Sequence, residues 1–384
     1  MTLRHWLPVA AATLAALPFF VRAAMAEPKP QLTGSVVHEN VAVYFLRGPS
    51  APGPVPMTLQ EALAKGTVEV RETGNVQELK IENKGTVPVF VQFGDIVKGG
   101  QQDRLLTVSM MLAPNSGVVP IGSYCVEQGR WAARGAEDVK RFAASDAMMP
   151  SREAKIAMAK PKVAEPSSPR AAVGLGEIAR GETRPAPTER NVAAPGGEAQ
   201  RRTIERPRSG DGQSEVWRSV GLVQQQLTAN LAAPVASEKS RTSLQLSLEA
   251  EALRAAQATF IAALEPKGLE GDDIVGVVIA IDGRISSADI YPSNGLFRKM
   301  WPKLTRAAAT EALAVKRKDM TAVGPVAPPI TDVEAFLKAA EAGETSVRQL
   351  GVHVRLETRT SEKAVQIETR TDTGQFVHRN YIAY

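Results

Sequence analysis

Two short runs, GDIVKGGQQDR (94–104) and CVEQGRW (125–131), hold the residues whose types and spacing suit chemistry. They supply Asp95, Lys98, Gly99, Gly100, Gln101, Gln102, Asp103, Arg104, Glu127 and Arg130. Arginines hold a carboxylate or phosphate bidentately, and paired glycines can turn successive N–H groups toward an anion. The set therefore reads as a binding site for a small anionic ligand. A hydrolase would use Glu127 or Asp95 as general base, with Arg104 or Arg130 stabilising charge. A bland reading stands beside both: Arg104 and Glu127 form a cross-strand ion pair at a solvated sheet end. Cys125, the sole cysteine, shares a strand face with Val119, Ile121 and Glu127. An apolar face and a nearby carboxylate both raise a thiol pKa, so Cys125 is expected to be a buried small hydrophobe. His38, His353 and His378, the candidate bases for it, are remote in sequence.

The elements around these runs should be strands. PVFVQFGDIVK (88–98), DRLLTVSMMLA (103–113) and VVPIGSYCVEQ (118–128) are apolar runs joined by GGQQ and PNSG, which is turn chemistry for an antiparallel meander. Tight turns there set 98 against 103 and 113 against 118, and counting back sets Arg104 against Glu127. Earlier come VAVYFL (41–46), a short helix opened by the capping box Thr58-x-x-Glu61 and ended at Gly66, and the strands VEVRE and LKIEN. Later, 215–231 and 248–264 have helical periodicity. IVGVVIAI and RISSADIY flank Asp282-Gly283, a type I′ hairpin signal. A helix starting or kinking at Pro302 should bury Phe297, Trp301, Leu304 and Ala308. A further helix at 332–343 precedes three closing strands.

The fold class is thus α+β, a sandwich-like antiparallel meander packed against a helix and hairpin part. Residues 151–212 are rich in Pro, Ala, Glu and Arg with no aromatic side chain, and are expected to be a disordered insertion. The expected segments are 27–150, mostly β; 213–345, α/β; and 346–384, a three-strand meander. Residues 1–26 have the charge, apolar run and A-x-A site of a signal peptide, which places the mature chain in a periplasm or outside the cell, free of the membrane. The chain carries +5 overall; residues 151–210 hold twelve Lys/Arg against seven Glu, and Arg4 and Arg22 lie in the leader, so the remainder is −2. That balance, with no basic aromatic-interleaved face, excludes a nucleic-acid partner. One Cys and four His leave no zinc site, and no cofactor is expected. P-loop, G-x-S-x-G and H-E-x-x-H motifs do not occur. GLGEIA (174–179) follows no strand and is a chance match.

The runs HENVAVYFL, TLQEALAKGTVEVRETG, NKGTVPVFVQFGDIVKGGQQDR, PIGSYCVEQGRW and IVGVVIAIDGRISSADIYPSNGLFRKMWPKLTRAAATEAL resemble the ADP-ribosylglycohydrolase- and rhodanese-phosphatase-associated domain family. The resemblance covers roughly residues 38–315 and leaves the strands from 352 onward outside. It implies one discontinuous domain interrupted by the insertion, and a ligand of nucleotide, ADP-ribose or sugar-phosphate type. It brings no catalytic residues. A binding module is the leading expectation, a structural or envelope-interaction protein the next, and a hydrolase of a nucleotide- or ribose-linked substrate the third.

Overall fold

The computed structural model describes residues 29–130, 139, 141–159, 212–316, 327–351 and 354–384. The expected leader, Trp131, His353 and residues 160–211 of the expected insertion lie outside the described residues. Its largest sheet has eight antiparallel strands. In spatial order they are β1 (Gln31–His38), β2 (Val41–Arg47), β12 (Ile274–Ile281), β13 (Arg284–Ile290), β17 (Phe376–Ala383), β16 (Ala364–Thr371), β15 (Val354–Thr360) and β14 (Glu344–Leu350). VAVYFL is apolar at every position because β2 is covered on both faces, and all six residues are buried. It pairs with β12 from beyond the insertion, Val43 facing Ile279 and Phe45 facing Val277. Asp282 and Gly283 have φ of 50° and 72°, as the type I′ turn of the β12–β13 hairpin requires.

The expected meander forms differently. Both central runs break in the middle and divide between two sheets. One sheet runs β11 (Phe142–Met148), β7 (Asp95–Gly99), β8 (Arg104–Leu106), β10 (Val118–Cys125), β5 (Glu78–Asn83), β4 (Val68–Glu72). The other holds β3 (Met57–Thr58), β6 (Val89–Val91) and β9 (Met110–Leu112). The break after β6 has a local cause. The Asp95 carboxylate accepts the Gln92 N–H at 2.9 Å, the Ser109 hydroxyl oxygen accepts the Phe93 N–H at 2.9 Å, and Gly94 turns the chain with φ 92°. Side chain–backbone bonds of this kind displace ladder bonds, and an apolar run gives no sign of them.

The helices are α1 (Leu59–Ala64), α2 (Arg152–Ala159), α3 (Gly212–Leu231), α4 (Leu244–Leu248), α5 (Glu251–Gly268), α6 (Asn294–Val315) and α7 (Ile330–Glu341). Thr58 and Glu61 form the capping box of α1 as expected. Two boundaries need correcting. The stretch expected to be disordered from 151 opens with α2, whose Ala154, Ala157, Met158 and Ala159 are buried. Small side chains give no strong apolar stripe, yet they permit close helix packing. The helix expected to start or kink at Pro302 starts at Asn294, capped by Ser293, and carries Pro302 in its interior. Trp301 is buried, donating its indole N–H to the Glu265 carbonyl at 2.9 Å.

One buried cluster joins both sides of the insertion, from Phe45, Phe90 and Leu105 to Phe260, Trp301 and Ile367. Each such side chain contributes about 1.5–3 kcal/mol. On the outer face of the large sheet, α7 lays Val333, Phe336 and Ala340 over Tyr44, Val278, Ala288 and Tyr381. The three expected closing strands are β15, β16 and β17. β14 precedes them; its sequence ETSVRQL is exposed at six of seven positions and has no apolar stripe to announce it.

Candidate functional site

The expected cluster is largely assembled, but in a different register. The GGQQ turn behaves as counted, with Ile96 facing Leu105 and Val97 facing Arg104. Arg104 then faces Cys125 and not Glu127. The PNSG count fails by two residues because β9 leaves for the small sheet and the first half of β10 pairs with β5. Arg104, 1% exposed, instead donates to Glu72 at 2.9 Å and to the Val76 carbonyl at 2.9 Å. Arg130 donates to Glu127 at 2.6 Å and to the Gly100 carbonyl at 3.3 Å, and lies 3.7 Å from Asp103.

The glycine amides are directed inward. Gly99 donates to Asp103 at 2.9 Å and Gly100 to the Arg141 carbonyl at 3.2 Å. A Cβ on Gly100 would fall 2.5 Å from the Phe142 ring. Ser243 donates to the second Asp103 oxygen at 3.0 Å, Lys98 to Glu249 at 2.6 Å, and Gln101, exposed, gives its backbone N–H to Glu72 at 3.2 Å. Gln102 is fully buried, and its amide has no hydrogen-bond partner among the described residues. Asp95 does not join them: at the other end of β7 it accepts from Lys303 at 2.8 Å.

Cys125 is buried as expected. Burial pushes its thiol up to about 11, offset in part by the Arg104 guanidinium beside it. The Gln213 side chain clamps its backbone, accepting from Cys125 N–H at 2.9 Å and donating to its carbonyl at 2.8 Å.

A second buried polar network escaped sequence reading. Ser109 lies 2.9 Å from Nδ1 of His378, and the other ring nitrogen lies 3.1 Å from Asp289, off the direction of a straight hydrogen bond. Asn380 donates to Asp289 at 2.8 Å and Tyr291 to Gln92 at 2.8 Å. The distances are those of a hydrolytic Ser-His-Asp set. Each member is 2% exposed, however, and Phe90 and Tyr291 pack against the imidazole. This seam stitches segments from either side of the insertion together. Its members share no motif, and pairing of β13 with β17 is what joins Asp289 to Asn380.

Two of the open cavities among the described residues are large and charged. One, of about 710 Å³, lies between α2, α3, α6 and the start of β13, and Glu311 lines it. The Ser286 hydroxyl is 3.0 Å from each Glu311 oxygen, and desolvation raises this carboxyl to about 6. The other, about 850 Å³, is a groove on the outer face of the large sheet beside the end of α7. Lys29, Arg359, Arg370 and Arg379 line it, with Glu341 as the acid among its lining residues. Period-two alternation puts Arg359, Arg370 and Arg379 on this face, while Val365 and Ile367 point into the core. Glu368 fixes Arg370 at 2.5 Å and Arg379 at 2.6 Å, and Glu357 pairs with Arg359. Both Arg370 and Arg379 stand over Phe376, 5.9 and 5.4 Å from its centroid. No closing-strand residue was among the ten expected.

No curated protein and no solved structure matches the chain. A family profile matches residues 29–382, so the family region takes in the closing strands as well as both sides of the insertion. The chain belongs to the family described as the ARG and Rhodanese-Phosphatase-superfamily-associated Protein domain.

Proposed function

We propose that the protein is an exported binding module whose groove holds a small anionic ligand. The observation that carries this is the set of four cations lining an open cavity against a single lining carboxylate. Glu357 and Glu368 orient the guanidiniums, Arg370 also donates to the Gly374 carbonyl at 3.0 Å, and all three forks remain partly exposed at the cavity, where a phosphate or carboxylate can approach them. The sheet-end residues suit this role less well, because Arg104 and Glu127 are buried and bonded to protein groups. The family description couples the domain with ARG and rhodanese-phosphatase proteins, which fits a phosphate-bearing ligand. Export rests on the leader at 1–26.

Calorimetry of the mature chain with pyrophosphate and ADP tests the proposal. Binding should occur and should weaken at least about tenfold in an Arg370→Ala/Arg379→Ala double variant, while Lys98→Ala and Gln102→Ala leave it unchanged. Binding that survives the double variant and disappears in Gln102→Ala would return the site to the sheet end. Hydrolysis keeps one observation in its favour: Glu311, a carboxyl near 6 in a cleft, suits a general acid or base. Turnover of a nucleotide or ribose conjugate that falls in Glu311→Gln would favour that reading.

A further inference from the structure

The groove is divided, and the order of strands in the sheet shows how. Its lining residues come from the loop after β2, from β12, from the end of β13 and the loop after it, and from β17, β16 and β15, strands that follow one another in that spatial order, with Lys29, Pro30 and Glu341 of α7 beside them. The β2–β12–β13 half presents Pro30, Pro49, Ala51, Pro52 and Pro292 above the buried Val275 and Ile290, with Lys29, paired to Glu341 at 2.9 Å, as a charged group at its edge. The β17–β16–β15 half presents the three arginines, and Phe376 stands where the halves meet. With strands about 4.8 Å apart, each half spans about 10 Å. A compact anion such as inorganic phosphate would leave the proline-walled half filled with water.

Resting on the groove reading above, we infer that the ligand is an amphiphilic anion, a soluble single-chain molecule with a phosphate or carboxylate head and an apolar body. The head takes the guanidiniums of Arg359, Arg370 and Arg379. The body lies along the prolines and the exposed edge of Phe376 and removes apolar surface from water. This arrangement explains why the cavity is larger than a phosphate needs. It also explains why proline lines the apolar wall: Pro49 and Pro52 offer apolar surface on a loop whose conformational entropy is already restricted.

The test is calorimetry on the mature chain with octyl phosphate, inorganic phosphate, AMP and octyl glucoside, all below micelle-forming concentration. Octyl phosphate should bind tighter than inorganic phosphate by on the order of a hundredfold, the effect of burying about four methylenes. Ala51→Asp, an exposed loop substitution, should lower the octyl-to-inorganic phosphate ratio at least about tenfold. Arg370→Ala/Arg379→Ala should weaken both phosphates. If inorganic phosphate binds as tightly as octyl phosphate, the groove is an anion site and the amphiphile inference falls alone. AMP binding tighter than octyl phosphate would likewise overturn it, in favour of a polar aromatic body. If no phosphate binds, or octyl glucoside equals octyl phosphate and the arginine variant changes nothing, the anion reading falls with it.

Discussion

The sheet-end cluster and the outer-face groove hold similar side chains in opposite circumstances. At the sheet end Arg104 and Arg130 meet Glu72, Glu127 and backbone carbonyls in the interior, where Arg104 is 1% exposed and Glu127 fully buried. In the groove Arg359, Arg370 and Arg379 rest on carboxylates too, but α7 stops short of them and the sheet face stays open. Residue type is therefore a poor guide to whether a polar group binds a ligand; the covering element decides. A buried charge is committed to its internal partner, because removing one leaves the other uncompensated. A partly exposed guanidinium can add a second partner at small cost.

The largest expected effect follows at the sheet end. Arg104→Ala leaves Glu72 without its ion pair and removes a large buried side chain, so urea denaturation should show a loss of about 3–5 kcal/mol. Pyrophosphate affinity of the folded fraction should not change. A loss below about 1 kcal/mol together with abolished binding would invert the comparison and make the cluster the site. The same region makes a chemical prediction. With its thiol near 11, Cys125 should alkylate far more slowly at pH 8 in the native protein than in urea. Rapid stoichiometric labelling of native protein would show an open, activated thiol instead.

Much of this architecture was legible in sequence because short-range signals set it. The Thr58–Glu61 capping box, the Asp282-Gly283 turn and the GGQQ hairpin all formed where local chemistry placed them. What failed depended on distant partners. Nothing in PVFVQFGDIVK shows that Ser109 will accept the Phe93 N–H and split the run between two sheets, and the misplaced Arg104–Glu127 pair descends from that break. The groove was invisible for the same reason. VRLETRT and AVQIETRT announce strands with a polar face, but the end of α7 determines how much of that face remains open.

Glu311 offers an intermediate case, a desolvated carboxyl that still borders a cavity. Its folded pKa, about 6, lies above the ordinary 4.5. Its stabilising contribution is therefore present below about pH 4.5 and lost as the pH rises through 6. Glu311→Gln, neutral throughout, should be more stable than the parent at pH 8 by at most about 2 kcal/mol. The difference should vanish at pH 4. A variant less stable than the parent at pH 8 would mean that Arg152 and Lys155 hold Glu311 ionised.

The smallest stability effect belongs to the groove. Arg370 and Arg379 share Glu368, so removing either leaves that buried carboxylate with one guanidinium. Each arginine is partly exposed, and solvent screens what is lost; Arg370→Ala should cost about 1 kcal/mol or less. Its effect on anion binding should be disproportionate, at least about fivefold in affinity, since a ligand phosphate loses one donor fork entirely. Raising the salt from 50 to 500 mM should weaken binding in the parent more steeply than in Arg370→Ala, because fewer screened contacts remain in the variant. The opposite pattern, a loss of several kcal/mol with unchanged affinity, would mean that the outer-face arginines hold the sheet together as Arg104 holds the sheet end. The two regions would then differ in exposure and not in role.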